Sequence, residues 1–153
     1  MDHVAIMKKS WGLTPKILSG KKKIESRWCQ MRCSPWGKIA ARDTVYFKDS
    51  GHPAEIKAEV SKVLAFSDLT PGKVQNILDE YAEADGIEKD KIPEFFELFK
   101  NKKYCLLVFL ENPQRIEPFE IDKSGFGCMS AWIAIENIEK IKLPAPTLAY
   151  ERK

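Results

Sequence analysis

The chain has 153 residues, of which 44% are hydrophobic, and it carries 25 Lys and Arg against 22 Asp and Glu, a formal net charge of +3. This length and composition are typical of one compact domain and leave no room for a second. The sequence has neither an apolar run of 18 residues nor a signal-peptide pattern, which argues against a membrane-spanning or exported class of protein. We therefore expect a cytoplasmic protein without a membrane partner.

The positive charge is concentrated in the first third of the chain. Residues 1 to 40 contain nine Lys and Arg and two Asp and Glu, a difference of +7, whereas residues 41 to 153 contain sixteen and twenty, a difference of −4. A local excess of cations favours an anionic partner such as RNA, because phosphate contacts release counterions. A solvated surface without a ligand is the alternative interpretation.

The first elements in chain order are a strand and a short helix. Residues 3 to 7 are apolar and predict a strand. Thr14 is suited to cap a helix that begins at Pro15, and Gly20 lies just past its end. A strand and a helix therefore precede the basic segment.

The next strand brings two opposite charges together. Residues 24 to 28 alternate, so Glu25 and Arg27 lie side by side on one face. Residues 29 to 43 show no period and predict a basic loop that carries Trp36. An exposed tryptophan in such a loop is a candidate for stacking on a base.

Two further strands are predicted at residues 44 to 47 and 54 to 66. In the longer strand the apolar positions change parity between Val60 and Val63. Such a switch indicates a β-bulge, the irregularity with which a sheet curls into a barrel.

Two helices follow the long strand. Thr70 and Pro71 begin the first, whose apolar residues recur at i, i+3, i+4 and i+7 as far as Tyr81, and Gly86 follows its end. A shorter helix begins at Pro93. Both helices should pack their apolar stripes against the sheet.

The rest of the chain predicts strands at residues 104 to 110, 116 to 121 and 131 to 135. With about six strands, and helices inserted after the first and fourth, the sequence predicts an α+β fold, a mixed β-barrel with helices packed on its outside. The domain should span residues 1 to 143, and residues 144 to 153 should form a tail.

The cysteine and histidine residues do not indicate a metal site. The two histidines are isolated, and a structural zinc site needs four ligands. No phosphate-binding or dinucleotide-binding glycine motif is present, so no cofactor is expected. We expect free thiols for the four cysteines, which are Cys29, Cys33, Cys105 and Cys128.

Residues 17 to 27 resemble the signature of the ASCH family. In that signature a helix is followed by Gly-x-Lys, here Gly20 and Lys22, and then by a strand with Glu-x-Arg, here Glu25 and Arg27. The resemblance extends over residues 3 to 140. It implies a PUA-like barrel that binds RNA or a nucleotide-like ligand in a basic cleft rimmed by aromatic residues.

The resemblance places Lys22, Glu25 and Arg27 in the cleft, with Lys8 or Lys9 and Ser10 at its mouth. A site for single-stranded RNA also needs cations that hold phosphates and flat rings that stack on bases. A glycine-containing turn before the last strand is a further candidate, because its backbone can approach a ligand closely. The predicted ligand-binding residues are Lys9, Ser10, Trp11, Lys21, Lys22, Lys23, Glu25, Arg27, Trp36, Phe126, Gly127 and Ser130.

Two alternative functions remain open. Some ASCH proteins are small amidohydrolases that remove an acyl group from modified cytidine with a lysine, a threonine and an acidic residue. Lys22 matches the lysine, and Asp85 or Glu83 can supply the acid, but Glu25 stands where the threonine is expected. If the cleft is catalytic, Lys22 and Glu25 would share the proton transfers. The second alternative is a protein-interaction module, and the oligomeric state is left open.

Overall fold

The computed structural model describes residues 1–32, 34–127 and 130–145. In chain order the strands are β1 (Asp2–Met7), β2 (Ile24–Cys29), β3 (Thr44–Asp49), β4 (Ala54–Phe66), β5 (Tyr104–Phe119) and β6 (Trp132–Ile135). The α-helices are α1 (Thr14–Ser19), α2 (Pro71–Tyr81) and α3 (Ile92–Phe99). Single 3-10 turns occupy Lys9–Trp11, Lys89–Lys91 and Ile138–Lys140.

All six strands belong to one mixed sheet in the order β2-β5-β4-β3-β1-β6. The pair β1 and β3 is parallel, and the other neighbours are antiparallel. The sheet curls into a half-barrel with the helices packed alongside. The predicted α+β barrel of about six strands, with helices after the first and fourth, is therefore confirmed.

The long strand β4 contains the predicted irregularity. Its register against β5 shifts between Val60 and Lys62, where the apolar positions change parity. An extra residue at such a shift bends the strand and increases its twist. The bend explains how a strand of 13 residues can follow a curled sheet.

The prediction of separate strands at residues 104 to 110 and 116 to 121 is wrong, because β5 runs through both as far as Phe119. Pro113 does not interrupt it, since β2 pairs only with residues 104 to 109 and leaves one edge of β5 open beyond them. Proline is tolerated at such an edge, where no ladder partner loses a donor. Asn112 takes up a positive φ of 51° beside it.

Apolar side chains pack on both faces of the sheet. On one face Ile17 of α1 packs with Phe47 and Val108. On the other face α2 and α3 cover β2 and β5, with Val74, Leu78 and Phe95 packed against the sheet. The strand β5 therefore lies between a helix on one side and two helices on the other.

The two threonines at the predicted helix starts have different roles. Thr70 accepts a hydrogen bond from the backbone N–H of Lys73 and so caps α2, which begins at Pro71. Thr14 does not cap α1, because its hydroxyl donates to Asp49 Oδ1 at 2.6 Å and Leu13 occupies the cap position. A carboxylate from a neighbouring strand thus outcompetes the local backbone.

The cysteines differ from the expectation of free thiols. Cys29 is disulfide-bonded, whereas Cys105 is a free thiol in the core whose pKa is raised by burial. Cys33 and Cys128 lie outside the described residues. Within the part of the chain that the structure describes, none of the helices has the length and apolar character needed to cross a membrane.

His3 is a completely buried histidine with two polar partners. Trp132 Nε1 donates to His3 Nδ1 at 3.0 Å, and Asp43 Oδ2 lies 2.9 Å from His3 Nε2. The accepting Nδ1 carries no proton, so the ring is neutral and Nε2 is the donor to Asp43. Burial lowers the pKa of His3 below its ordinary value of 6.5, although Asp43 opposes this.

We expect the free energy of unfolding to fall as the pH drops below 6.5. A histidine with a lowered folded-state pKa takes up its proton first in the unfolded chain, so acid favours unfolding in this range. Urea unfolding at pH 7.5, 6.5 and 5.5 measures the effect. The variant His3→Asn should flatten the dependence of the free energy of unfolding on pH in this range, and His52→Asn, which changes an exposed histidine, should not. Equal slopes of this free energy against pH in both variants would show that His3 is not the group responsible.

Candidate functional site

A cleft of about 260 Å³ lies across the free edge of β2. This strand pairs only with β5, so its other edge is not covered by a strand. Side chains from both faces of β2 therefore reach the same space. The neighbouring walls come from the end of β1, from the 3-10 turn Lys9–Trp11 and from α3.

The buried ammonium group of Lys22 is the centre of the cleft floor. Its side chain is 1% exposed, and its Nζ donates to the carbonyl oxygens of Ile24 and Asp85, each at 2.7 Å. The same nitrogen contacts the Asp85 carboxylate and lies 3.1 Å from Glu25 Oε1. Its three N–H groups thus face four acceptors, which fixes the ammonium group in position.

Glu25 and Arg27 form the ion pair that strand alternation predicts. Arg27 Nη2 lies 2.7 Å from Glu25 Oε2. The guanidinium also donates to the carbonyl oxygens of Ala131 and Ile6 at 3.2 and 3.4 Å, and its carbon lies 5.0 Å from the centre of the Trp132 ring. Arg27 thereby connects β2 with the strands at the other end of the curled sheet.

The segment after α2 brings Asp85 to this network. The carbonyl oxygen of Ala84 accepts hydrogen bonds from the backbone N–H groups of Lys23 and Ile24, at 2.6 and 3.0 Å. This pairing covers the beginning of the free edge of β2. Gly86 follows with a φ of 80°, and it allows the chain to turn directly against the Lys22 side chain.

We expect Gly86→Ala to destabilise the protein more than Gly51→Ala. Both glycines have a φ near 80°, so an alanine at either position is strained by about 1–2 kcal/mol. A Cβ at Gly86 would also lie 3.1 Å from Lys22 Cβ, whereas one at Gly51 would meet open space. Overpacking adds about 1–3 kcal/mol at the first position. Urea unfolding measures both variants, and equal losses would contradict close packing of Gly86 on Lys22.

The floor contains four ionisable groups, which shift one another's pKa values. They are Lys22, Glu25, Arg27 and Asp85. Burial would lower the pKa of Lys22, but Asp85 and Glu25 outweigh it and raise this pKa. Burial would raise the pKa of Glu25, but Lys22 and Arg27 outweigh it and lower this pKa. For Asp85, burial raises the pKa and the nearby Glu25 adds to it, against the opposing effect of Lys22.

With all four groups ionised, the two cations and two carboxylates of the floor sum to zero formal charge. The cation Lys8 lies at the mouth instead, with its Nζ 5.4 Å from the centre of the Trp11 ring. The floor therefore suits a neutral polar group better than a phosphate.

Ser26 adds a hydroxyl group to the cleft. Its Oγ donates to Asp85 Oδ2 at 2.5 Å and accepts from Trp28 Nε1 at 3.1 Å. The backbone N–H and C=O of Ile24 point away from β5, toward Ala84 and Lys22. Hydrogen-bonding direction alternates along an antiparallel strand, so the backbone groups of Ser26 and Trp28 also face the free edge. The cleft thus offers donors and acceptors at a strand edge.

Four aromatic rings form the walls. Trp28 and Phe99 stack with ring centres 4.7 Å apart and an interplanar angle of 4°. Trp11 contacts Phe95 edge to face at 5.2 Å, and its side chain is 39% exposed. Flat apolar walls above a polar floor suit a flat heterocycle with polar edges. Within the described residues, no group of three or more His, Cys, Asp and Glu side chains is arranged to hold a metal ion.

The structure brings only part of the predicted set together. Of the predicted residues, Trp11, Lys22, Glu25 and Arg27 line the cleft together with the proposed acid Asp85. Lys21 and Lys23, the exposed neighbours of Lys22, line a different groove.

That second groove is mixed in charge. Besides Lys21 and Lys23 it is lined by Glu83, the alternative acid, and by other side chains of both signs. The three consecutive lysines therefore do not converge on one site. Only the middle one faces the floor.

The other predicted residues lie at separate places. Lys9 Nζ is 3.0 Å from His52 Nε2, and Ser10 is exposed in the same turn. Trp36 packs edge to face against Tyr104. Before β6, Phe126 packs in a cluster with Phe119, Gly127 is exposed, and the Ser130 hydroxyl donates to the carbonyl oxygen of Trp132.

No protein-family model and no curated protein matches this chain. Solved structures do match. The crystal structure of ASCH from Zymomonas mobilis has a TM-score of 0.64 at 16% identity, covering 91% of this chain and 90% of that chain, and a point mutant of it gives the same TM-score and identity. A hypothetical protein, PH0355, has a TM-score of 0.50 at 18% identity and covers 76% of this chain. The chain therefore has an ASCH-like fold, as its signature predicts.

Proposed function

We propose that the cleft binds a single nucleobase, as part of RNA or of a nucleoside. The observation that carries the proposal is the combination of aromatic walls with a polar floor of zero formal charge. A base has two flat faces for stacking and an edge of donors and acceptors. Phosphates would remain outside, near Lys8 at the mouth.

The size of the cleft supports a small ligand. Its volume of about 260 Å³ is just below the range of roughly 300–1,000 Å³ found for pockets of drug-sized ligands. One heterocycle fits such a space better than a stack of bases. The edge groups of Ser26 and Trp28 and the ionic groups of the floor can then read the polar edge of that ring.

Truncation of Trp11 tests this proposal. A stacked base contributes about 1–3 kcal/mol, so Trp11→Ala should weaken binding about 5- to 150-fold. Calorimetric titration with each of the four ribonucleosides and with a single-stranded RNA hexamer measures it. Trp11→Phe should retain most of the affinity, because it keeps a ring.

Met31→Ala is the matched control, since Met31 is also a large apolar residue, 76% exposed, and is not part of the cleft wall. Its affinity should equal that of the wild type. Wild-type protein that binds none of these ligands, or a Trp11→Ala variant with unchanged affinity, would refute the proposal.

Hydrolysis of an acylated base is the second candidate, and the Ser26 hydroxyl favours it. Asp85 Oδ2 lies 2.5 Å from Ser26 Oγ, and burial raises the pKa of Asp85, so this carboxylate is placed to accept the Ser26 proton. Lys22 contacts the same carboxylate and holds it in position. The oxygen would attack the acyl carbonyl, the C–N bond would break with a proton returned to the amine, and water would release the acyl group. A hydroxyl is thus present although Glu25 stands where the family's threonine is expected.

Turnover of N4-acetylcytidine, followed by chromatography, tests this candidate. The wild type should release acetate, Ser26→Ala should not, and Ser26→Thr should retain measurable activity because it keeps a hydroxyl. An inactive wild type would leave binding alone as the function of the cleft. Equal rates for the wild type and Ser26→Ala would exclude Ser26 as the nucleophile.

A further inference from the structure

A cation held on two aromatic rings lies in the loop after β2. The guanidinium carbon of Arg32 is 5.6 Å from the centre of the Trp36 ring and 5.7 Å from that of Tyr104. The two rings contact each other edge to face at 5.4 Å. This Arg32 cluster, consisting of Arg32, Trp36 and Tyr104, is outside the cleft described above.

The Arg32 guanidinium is available to an anion. Arg32 is exposed, and among residues 1–32, 34–127 and 130–145 no carboxylate lies within ion-pair distance of it. The rings restrict its position, so less side-chain entropy is lost when its N–H groups bind a phosphate. An arginine arranged in this way is better prepared for an anion than an unrestrained surface lysine.

The surroundings are basic. From Ser26 to Arg42 the sequence contains four cationic residues and no Asp or Glu. Lys103 is exposed next to Tyr104, and its backbone N–H donates to the carbonyl oxygen of Cys29. The local potential therefore attracts a polyanion.

The Arg32 cluster lies near Arg27, a residue of the cleft floor, on the face of the sheet that Arg27 occupies. Tyr104 pairs with Cys29, and Leu106 pairs with Arg27. Arg27 and Cys29 are two residues apart, so they share a face and are separated by roughly 7 Å. The pairing thus places Tyr104, the strand residue of the cluster, beside Cys29 and two residues along the sheet from Arg27.

We propose that Arg32 binds the phosphate of a nucleotide adjacent to the base in the cleft, with Trp36 and Tyr104 as positioning residues. The inference rests on the proposed function and names its ligand class as single-stranded RNA rather than a free nucleoside. The cleft holds one base, and the Arg32 cluster holds the backbone.

Calorimetric titrations of the full chain with cytidine, inorganic phosphate and a single-stranded RNA hexamer test the proposal. The wild type should bind the hexamer more tightly than cytidine. Arg32→Gln should lower hexamer affinity about tenfold and reduce the slope of log affinity against log salt by about one, with cytidine affinity unchanged. Trp36→Leu should also weaken hexamer binding, because the guanidinium is no longer held.

Arg115→Gln is the matched control, since Arg115 is an exposed arginine of β5. Its hexamer affinity should equal that of the wild type. The proposal is overturned if Arg32→Gln leaves the hexamer affinity and salt slope unchanged, or if inorganic phosphate binds Arg32 as tightly as the hexamer does. Cytidine binding without tighter hexamer binding overturns this subsite alone, whereas no binding of either ligand overturns the proposed function as well.

Discussion

Replacing Lys22 with methionine is expected to lower the free energy of unfolding by about 3–5 kcal/mol at pH 7. Methionine has a similar length but no charge, so Glu25 and Asp85 would lose the cation that lies between them. Glu25 keeps Arg27 as a partner, while Asp85 keeps only neutral donors such as Ser26. An uncompensated carboxylate in this buried floor is costly. Urea unfolding followed by fluorescence measures the loss.

Lys21→Met and Lys23→Met are matched controls for this substitution. Both lysines are exposed neighbours of Lys22, and each change should alter the free energy of unfolding by less than about 0.5 kcal/mol. A second variant, Lys22→Met with Asp85→Leu, should recover part of the loss because it removes the unpaired charge. If all three single variants were equally stable, the buried network would not exist in solution.

Part of the site follows directly from the sequence. Strand alternation predicts that Glu25 and Arg27 share a face, and the structure places their polar atoms 2.7 Å apart. The parity switch in β4 predicts the bulge at the register shift. Both predictions depend only on neighbours along one strand, and local periodicity is sufficient for them.

The burial of Lys22 could not be read from its neighbours. Three consecutive lysines are typical of a solvated turn, and the middle one is buried because Asp85, 63 residues further along the chain, and the adjacent Gly86 pack over it. Such long-range pairing has no periodic signal. The resemblance to the ASCH signature indicated Lys22, and it offered Asp85 as one of two acids.

Ser26 and Trp28 are not among the predicted ligand-binding residues, although Trp28 is a candidate for stacking. Alternation assigns both to the face opposite Glu25, which suggests that they cannot share a site with it. Because β2 is an edge strand, side chains of both faces meet in the cleft along its free edge. Strand order is set by tertiary pairing, and a single sequence does not specify which strand lies at the edge.

Arg27 is expected to stabilise the fold through its ion pair with Glu25 in the cleft. We expect Arg27→Gln to lower the free energy of unfolding by about 1.5–3 kcal/mol at pH 7, because Glu25 loses one of its two charged partners. The contacts with the carbonyl oxygens of Ala131 and Ile6 weaken as well. Urea unfolding of the variant measures the loss, with Arg115→Gln, an exposed arginine on β5, as the control that should be neutral.

The pH dependence separates this charge effect from simple loss of packing. Arg27 helps to lower the pKa of Glu25 below its ordinary value of 4.5. A carboxyl group with a lowered folded-state pKa stabilises the fold above the unfolded pKa, and this contribution is lost as the pH falls through the folded one. The difference in the free energy of unfolding between the wild type and Arg27→Gln should therefore be largest near neutral pH and shrink as the pH falls past 4.5. A difference that stays constant down to pH 3 would mean that Arg27 stabilises the cleft by packing on Trp132 and not through Glu25.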